Sequence, residues 1–186
     1  QLQTRNAHAA KQESIKEAEF DGSVESFVDK LKPYAEKAAA VLGLQPEALI
    51  AQAALETGWG KFQTKMADGS PSFNLFNIKA DSRWSGNKAN VSTLEFRDGV
   101  AVKERANFRA YDSYEQAFED YAQFLQDNPR YQNALKNTAN SEQYFQQLQK
   151  AGYATDPEYA NKILNVLENS GIKTAWHQSA SINEDS

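Results

Sequence analysis

The strongest candidate for acid–base chemistry in this 186-residue sequence is Glu56, within the run from Ala51 to Gly60. If this run is helical, Leu49, Ala53 and Glu56 share one face. An acid beside small apolar side chains loses solvation, which favours its protonated form. Such a carboxyl, placed at a helix end, can serve as a general acid. An ordinary last-turn glutamate beside a glycine cap is the alternative interpretation.

A second pair of acids lies in the most convincing β signal of the chain. Residues 90–96 and 100–108 flank Asp98 and Gly99, a dipeptide that favours a two-residue type I′ hairpin turn. In that register Glu95 faces Val102, and Glu104 lies on the same face of the hairpin. Two acids on one face of a hairpin are usually solvated. They become catalytic candidates only if the hairpin covers a cleft that contains Glu56.

Candidate sugar contacts follow the predicted helix. The stretch 72–79 mixes apolar residues with the amides of Asn74 and Asn77, which can donate and accept hydrogen bonds at once. Such a short apolar run is more often core than ligand wall. Trp84 predicts either a sugar-stacking corner or an anchor of an exposed loop. The candidate substrate-binding residues are Trp59, Asn74, Phe76, Trp84 and Tyr159.

Composition excludes several other kinds of chemistry. The only two histidines, His8 and His177, lie near opposite ends and the chain has no cysteine, so a histidine triad, a thiolate site and a zinc site are all unexpected. We expect no cofactor and no metal. The net charge of −5 argues against nucleic acid or an anionic membrane surface as the main partner. No apolar run approaches the length of a membrane span. Carboxylates and tyrosines remain for acid–base work.

The elements that would position these groups are mainly helical. Residues 1–22 are predicted to be a polar linker, with a short solvated helix as the alternative, and 171–186 a polar tail. Between them, residues 23–170 form one domain with a helix that stops at Pro33, a second over 34–42 and a third over 47–56. The hairpin follows. Later helices begin at a Ser113 cap, at Ser141 and at Asp156–Pro157. The predicted fold class is α+β, mainly α.

Five motifs in unchanged order carry a family resemblance. They span residues 51–60, 72–79, 108–114, 128–131 and 153–159. Together they resemble the glucosaminidase domains of glycoside hydrolase family 73, and within it the members joined to a flagellar rod-assembly half. The resemblance implies a lysozyme-like helical domain with one inserted β-hairpin. The family more often has glycine at the position of Asn77.

The resemblance also implies an activity and roles for three residues. The activity is that of an endo-β-N-acetylglucosaminidase that cleaves the β-1,4 glycan backbone of peptidoglycan. Glu56 matches the general acid, Glu95 the second acidic residue on the hairpin, and Tyr153 the tyrosine near the scissile sugar. A lytic transglycosylase, or a peptidoglycan-binding or rod-scaffolding module without catalysis, is the alternative. Inverting, retaining and substrate-assisted mechanisms all stay open.

The implied setting is the periplasm, where such a domain locally opens the cell wall for flagellar rod assembly. Peptidoglycan glycan strands are the expected partner. Flagellar rod proteins are expected to bind through an N-terminal region that is missing from this sequence.

Overall fold

The computed structural model describes residues 2–184, with side chains to residue 179. Its helices are α1 (Leu2–Ala18), α2 (Val24–Leu42), α3 (Pro46–Thr57), α4 (Tyr114–Asp127), α5 (Gln132–Leu135), α6 (Ser141–Lys150), α7 (Tyr159–Asn169) and α8 (Ile172–Glu184). A hairpin of β1 (Lys88–Arg97) and β2 (Val100–Arg109) is inserted between α3 and α4. The mainly helical α+β fold with one inserted hairpin is therefore confirmed.

Helix α3 runs through the centre of the core and ends where the candidate acid lies. Pro46 occupies its first turn, and Gly58 ends it in the left-handed conformation with φ of 55°. The apolar side chains from Ala48 to Ala54 are buried all round the helix, as expected of a helix surrounded by others. Helices α2, α7 and α8 pack against it. The helix is buried from Ala48 to Ala54, and its last turn, which carries Glu56, is partly exposed.

The hairpin register agrees with the prediction from sequence. Glu95 pairs with Val102 and Thr93 with Glu104, around the two-residue turn of Asp98 and Gly99. Both turn residues have positive φ, 51° and 78°, as a type I′ turn requires. The register therefore places Glu95 and Glu104 on one face of the hairpin.

Two segments in the N-terminal part of the chain differ from the simplest sequence prediction. Helix α2 continues through Pro33 instead of stopping there. Buried side chains on both sides of the proline, including Leu31 and Ala35, hold the two halves against the core. The N-terminal segment is helical and mostly exposed over Leu2–Ala18, which is the solvated-helix alternative.

The C-terminal segment packs on the domain as helix α8. Ile172, Ala175 and Trp176 are buried in the same core as α3. The ammonium of Lys32 donates to the Trp176 carbonyl at 3.0 Å and lies over the indole ring. Residues 171–179, predicted as part of a polar tail, therefore contribute to the core. Asp185 and Ser186 lie outside the described residues.

No single helix among residues 2–184 combines the length and apolar composition that a membrane crossing needs. Helices α2 and α3 reach those criteria only when they are joined across a bend of 117°.

Candidate active site

Two neighbours hold the Glu56 carboxyl, one on each oxygen. The Tyr159 hydroxyl donates to Oε1 at 2.7 Å, and the Asn77 amide donates to Oε2 at 2.6 Å. Burial raises the pKa of Glu56 to about 7, although these two hydrogen bonds favour the charged form and oppose the rise. The negative charge of Glu95 raises it further. A carboxyl with this pKa keeps its proton close to neutral pH, as a general acid must.

A chain of buried polar groups orients Tyr159 from beneath. Gln52, one turn before Glu56 on α3, donates to the Tyr159 hydroxyl at 2.9 Å and accepts from the Tyr121 hydroxyl at 2.7 Å. The Tyr144 hydroxyl shares a hydrogen bond with Tyr121. Each group is satisfied, so the Tyr159 hydroxyl is directed at Glu56 and not at a competing acceptor. Helices α3, α4, α6 and α7 thus fix the carboxyl together.

Glu95 lies across the same cleft, and its surroundings favour the charged form of its carboxyl, whereas those of Glu56 favour the protonated form. Its side chain is only 10% exposed and accepts hydrogen bonds from the Lys79 ammonium and the Thr155 hydroxyl, both at 2.7 Å. Burial raises the pKa of Glu95, but these donors and the Lys79 charge outweigh burial and hold the pKa below its usual value. Glu95 is therefore the ionised partner of Glu56.

Thr155 connects the hairpin to the loop between α6 and α7. Its hydroxyl donates to Glu95 and accepts from the backbone N–H of Phe96 at 2.9 Å. The hairpin is thereby attached to the opposite wall of the cleft, and Glu95 is held in place within it.

The two carboxyls open onto one cleft of about 780 Å³. Its walls are the end of α3 with the loop 76–79, the hairpin, and the loop 152–156 with Tyr159. Aromatic rings from four segments line it: Phe76, Phe96, Phe124 and Tyr153 among them. Aromatic faces beside amide and charged groups are suited to a sugar chain, which presents both apolar ring faces and hydroxyls.

Tyr153 lines this cleft and stacks on Tyr159, with ring centroids 5.8 Å apart. Its hydroxyl donates to the backbone carbonyl of Phe76 at 2.7 Å. The hydroxyl oxygen can still accept a hydrogen bond from a ligand. Burial raises the pKa of Tyr153 well above its ordinary value, so the group stays protonated.

The structure brings together some of the residues predicted to bind substrate and separates others from the cleft. Phe76 and Tyr159 line it, whereas Trp59, Asn74 and Trp84 do not. Trp59 packs edge-on against Phe27 in the core, and the Trp84 indole donates to the Asn87 carbonyl at 2.8 Å.

Asn74 has a structural place beneath the cleft. It is fully buried, and its amide donates to the carbonyls of Ile78 and Arg109 at 3.0 and 2.9 Å. Its side-chain oxygen accepts from the N–H groups of Phe76 and Ile78. All of its hydrogen-bonding capacity is used within the protein. Asn74 therefore shapes the loop that carries Asn77 and Lys79, and we do not include it among substrate contacts.

Sequence reasoning assigned no role to Lys79 or Thr155, the two donors to Glu95. Both lie inside motifs that carry the family resemblance, at the end of 72–79 and within 153–159. Their position inside these motifs was the signal in the sequence that could have identified them as site residues. Among the described residues, no group of three or more histidine, cysteine, aspartate or glutamate side chains could hold a metal ion.

A protonated carboxyl and an ionised carboxyl that face one aromatic-lined cleft are the pair of groups that glycoside hydrolysis uses. The family model described as mannosyl-glycoprotein endo-beta-N-acetylglucosaminidase matches residues 32–171. The chain belongs to this glucosaminidase family.

Known relatives agree with this assignment. The chain is 56% identical over 151 residues to the peptidoglycan hydrolase FlgJ of Vibrio parahaemolyticus. The aligned region covers 81% of this chain and 48% of that protein. A peptidoglycan hydrolase structure from Sphingomonas sp. A1 is 44% identical with a TM-score of 0.73, covering 83% of this chain and 94% of the other. The glycoside hydrolase domain of Salmonella typhimurium FlgJ is 36% identical with a TM-score of 0.66, covering 88% and 98%. The chain spans about half the length of the curated relatives it matches.

Proposed function

We propose that this domain hydrolyses the β-1,4 glycan backbone of peptidoglycan as an endo-β-N-acetylglucosaminidase. The observation that carries the proposal is the opposite tuning of two carboxyls in one cleft: Glu56 has a pKa raised to about 7, and Glu95 has a pKa held low. Glycoside hydrolysis needs one carboxyl to protonate the leaving oxygen and a negative group to support water or the developing positive charge.

In this mechanism Glu56 donates its proton to the glycosidic oxygen. Tyr159 and Asn77 occupy one lone-pair direction on each carboxyl oxygen, which fixes the carboxyl plane relative to the cleft. Glu95, ionised and held by Lys79 and Thr155, stabilises the oxocarbenium-like sugar or activates the attacking water. Tyr153 is the third proposed catalytic residue, positioned to steer the N-acetyl group or the water.

The presence of Glu95 favours hydrolysis over a lytic transglycosylase mechanism, which can proceed with one acid. It also argues against a module that only binds peptidoglycan, because such a module has no need for a buried carboxyl with a raised pKa.

The relatives named peptidoglycan hydrolase FlgJ support a setting at the cell wall. We propose that the domain acts in the periplasm, where it opens the wall locally for flagellar rod assembly. We further propose that flagellar rod proteins bind outside the glucosaminidase domain.

Mass spectrometry of purified peptidoglycan digested with the domain tests the reaction. Hydrolysis at the proposed bond leaves N-acetylglucosamine at the reducing end. An anhydro sugar would show transglycosylation instead, and reducing-end muramic acid would show that the other bond is cut.

A further inference from the structure

The charged side chains that line the cleft are almost fully paired with one another. Eight such residues contribute: Glu56, Lys79, Asp81, Arg83, Glu95, Arg130, Asp156 and Lys162. Six of them form three ion pairs, Lys79 with Glu95, Arg83 with Asp81, and Lys162 with Asp156. The two that remain are Glu56, which is uncharged when it holds its proton, and Arg130. When Glu56 holds its proton, the side chains that line the cleft therefore carry one unbalanced positive charge, although the net charge of the whole chain is −5.

Arg130 is the source of that charge. It is exposed, and within the described part of the chain it has no carboxylate within ion-pairing distance. Its guanidinium lies 6.0 Å from the ring centroid of Tyr131. A β-carbon placed on Gly152 would lie 3.9 Å from its Nη1 atom. Arg130 is thus next to the residue that precedes Tyr153, at the Tyr153 end of the cleft.

The backbone that presents Arg130 belongs to a hydrogen-bonded turn. Pro129–Tyr131 forms a single 3₁₀ turn, closed by a hydrogen bond from the Tyr131 N–H to the Asn128 carbonyl. The Tyr131 ring is buried against Phe124 and Tyr153, with centroids 5.5 and 6.0 Å away. A guanidinium on such a support loses less freedom when it binds a ligand than one on a mobile loop would.

A second guanidinium, that of Arg83, lines the same cleft, and Asp81 balances its charge. Burial raises the pKa of the Tyr131 hydroxyl, and the nearby charges of Arg130 and Arg83 oppose that rise. Arg83 is itself held by the Asn128 side-chain oxygen at 3.0 Å. Arg130, Tyr131 and Arg83 all line the cleft, and their guanidinium and hydroxyl groups are hydrogen-bond donors.

We propose that Arg130, with Tyr131 and Arg83 beside it, is a subsite for a substrate carboxylate. The fixed fork of a guanidinium matches a carboxylate with two parallel hydrogen bonds. This proposal rests on the proposed function, because the glycan strand of peptidoglycan carries carboxylates that a plain N-acetylglucosamine polymer lacks. They come from two sources, the lactyl group of muramic acid and the attached peptide. The subsite would select a glycan with one charged substituent near the scissile bond over a neutral glycan.

Binding to a protein that cannot turn over separates this proposal from catalysis. We would measure dissociation constants for Glu56→Gln and for the double variant Glu56→Gln/Arg130→Gln. The ligands are peptide-bearing peptidoglycan fragments, peptide-free fragments with free lactyl carboxylates, and N-acetylglucosamine oligomers of equal length. Arg5→Gln, which removes an exposed guanidinium from α1, replaces Arg130→Gln in the matched control.

Loss of Arg130 is expected to weaken binding of the carboxylate ligands about 3- to 10-fold, since the site is exposed to solvent. Binding of the neutral oligomers should not change, and Arg130→Lys should recover part of the loss. A loss confined to peptide-bearing fragments assigns the carboxylate to the peptide. A loss confined to peptide-free fragments assigns it to the lactyl group, because the lactyl carboxyl is an uncharged amide wherever a peptide is attached. A loss with both kinds of fragment shows that the subsite accepts either carboxylate.

Equal losses for neutral and charged ligands, or no loss at all, would overturn the subsite. Failure of the wild-type domain to cleave peptidoglycan would overturn the proposed function, and the binding comparison still decides the subsite in that case.

Discussion

Asn77 holds Glu56 at two points, its amide donating to the side-chain Oε2 at 2.6 Å and to the backbone carbonyl at 3.0 Å. Asn77 has a φ of 51°, in the left-handed region that asparagine tolerates better than most side chains. One residue therefore combines a turn that glycine would usually make with a donor directed at the candidate acid.

Replacing Asn77 with glycine should keep the turn and remove both contacts to Glu56. The amide favours the charged carboxylate, so its loss should raise the pKa of Glu56 and move the alkaline limb of the pH–rate profile upward. The other titratable groups that face this carboxyl are unchanged in the variant: Glu95, Tyr159, Tyr153 and Tyr121. Turnover should fall about tenfold because the carboxyl is less well oriented.

The matched control for this change is Asp98→Gly, which removes a side chain at the same φ of 51° on the hairpin turn. Its pH–rate profile should match wild type. If the pH–rate profile of Asn77→Gly coincides with those of wild type and Asp98→Gly, the amide does not position the acid.

The raised pKa of Glu56 also predicts how stability depends on pH. Between about 4.5, the ordinary value, and about 7, the folded protein binds more protons at this site than the unfolded chain does. The resulting stabilisation is fully present below pH 4.5 and is lost as pH rises through 7. The free energy of unfolding of Glu56→Gln relative to wild type should therefore increase by roughly 2–3 kcal/mol between pH 4 and pH 8. Urea unfolding at both pH values measures it, and a constant difference would contradict the raised pKa.

Glu95 and Glu104 share a hairpin face but have different surroundings. Glu95 is buried against Lys79 and Thr155, whereas the half-buried Glu104 pairs with the exposed Arg97 at 2.8 Å. Glu95→Gln should lower turnover by at least tenfold, and Glu104→Gln should leave it within twofold. Lysis rates of both variants measure the loss of turnover, and their melting temperatures show whether stability is lost as well. If Glu104→Gln is the more damaging change, the catalytic assignment on the hairpin is wrong.

Tyr153→Phe should separate a catalytic hydroxyl from a structural one. The hydroxyl bonds to the Phe76 carbonyl, so its removal should cost roughly 1 kcal/mol of stability whatever its role in catalysis. A catalytic hydroxyl acts mainly in the transition state, so kcat should fall with KM nearly unchanged. Unaltered kcat with reduced stability would leave Tyr153 as a loop anchor.

Local patterns predicted much of the fold. The cap at Ser113 accepts a hydrogen bond from the Gln116 N–H, and the Asp98–Gly99 turn sets the hairpin register. These features depend on neighbours in sequence, which a single sequence displays. Pro33 was mispredicted because the packing that carries α2 through it comes from distant residues.

The site was predicted less completely, for a similar reason. Helix spacing selected Glu56, and the hairpin register placed Glu95 and Glu104 on one face. The choice of Glu95 between those two acids came from the family resemblance. The tuning of Glu56 and Glu95 depends on contacts over 16 to 103 positions, such as Lys79 with Glu95 and Tyr159 with Glu56. Asn74 and Asn77 carry the same amide three residues apart, and only the fold decides that one bonds backbone carbonyls and the other the acid.

The central claim is that Glu56 is the proton donor for cleavage of the glycan backbone. The most direct test is the rate at which wild type and Glu56→Gln release soluble fragments from purified peptidoglycan. Glutamine keeps the shape of the side chain and removes the proton, so the rate should fall about 10²- to 10⁴-fold while circular dichroism and peptidoglycan binding stay unchanged. A folded Glu56→Gln protein that releases fragments at close to the wild-type rate would contradict the account.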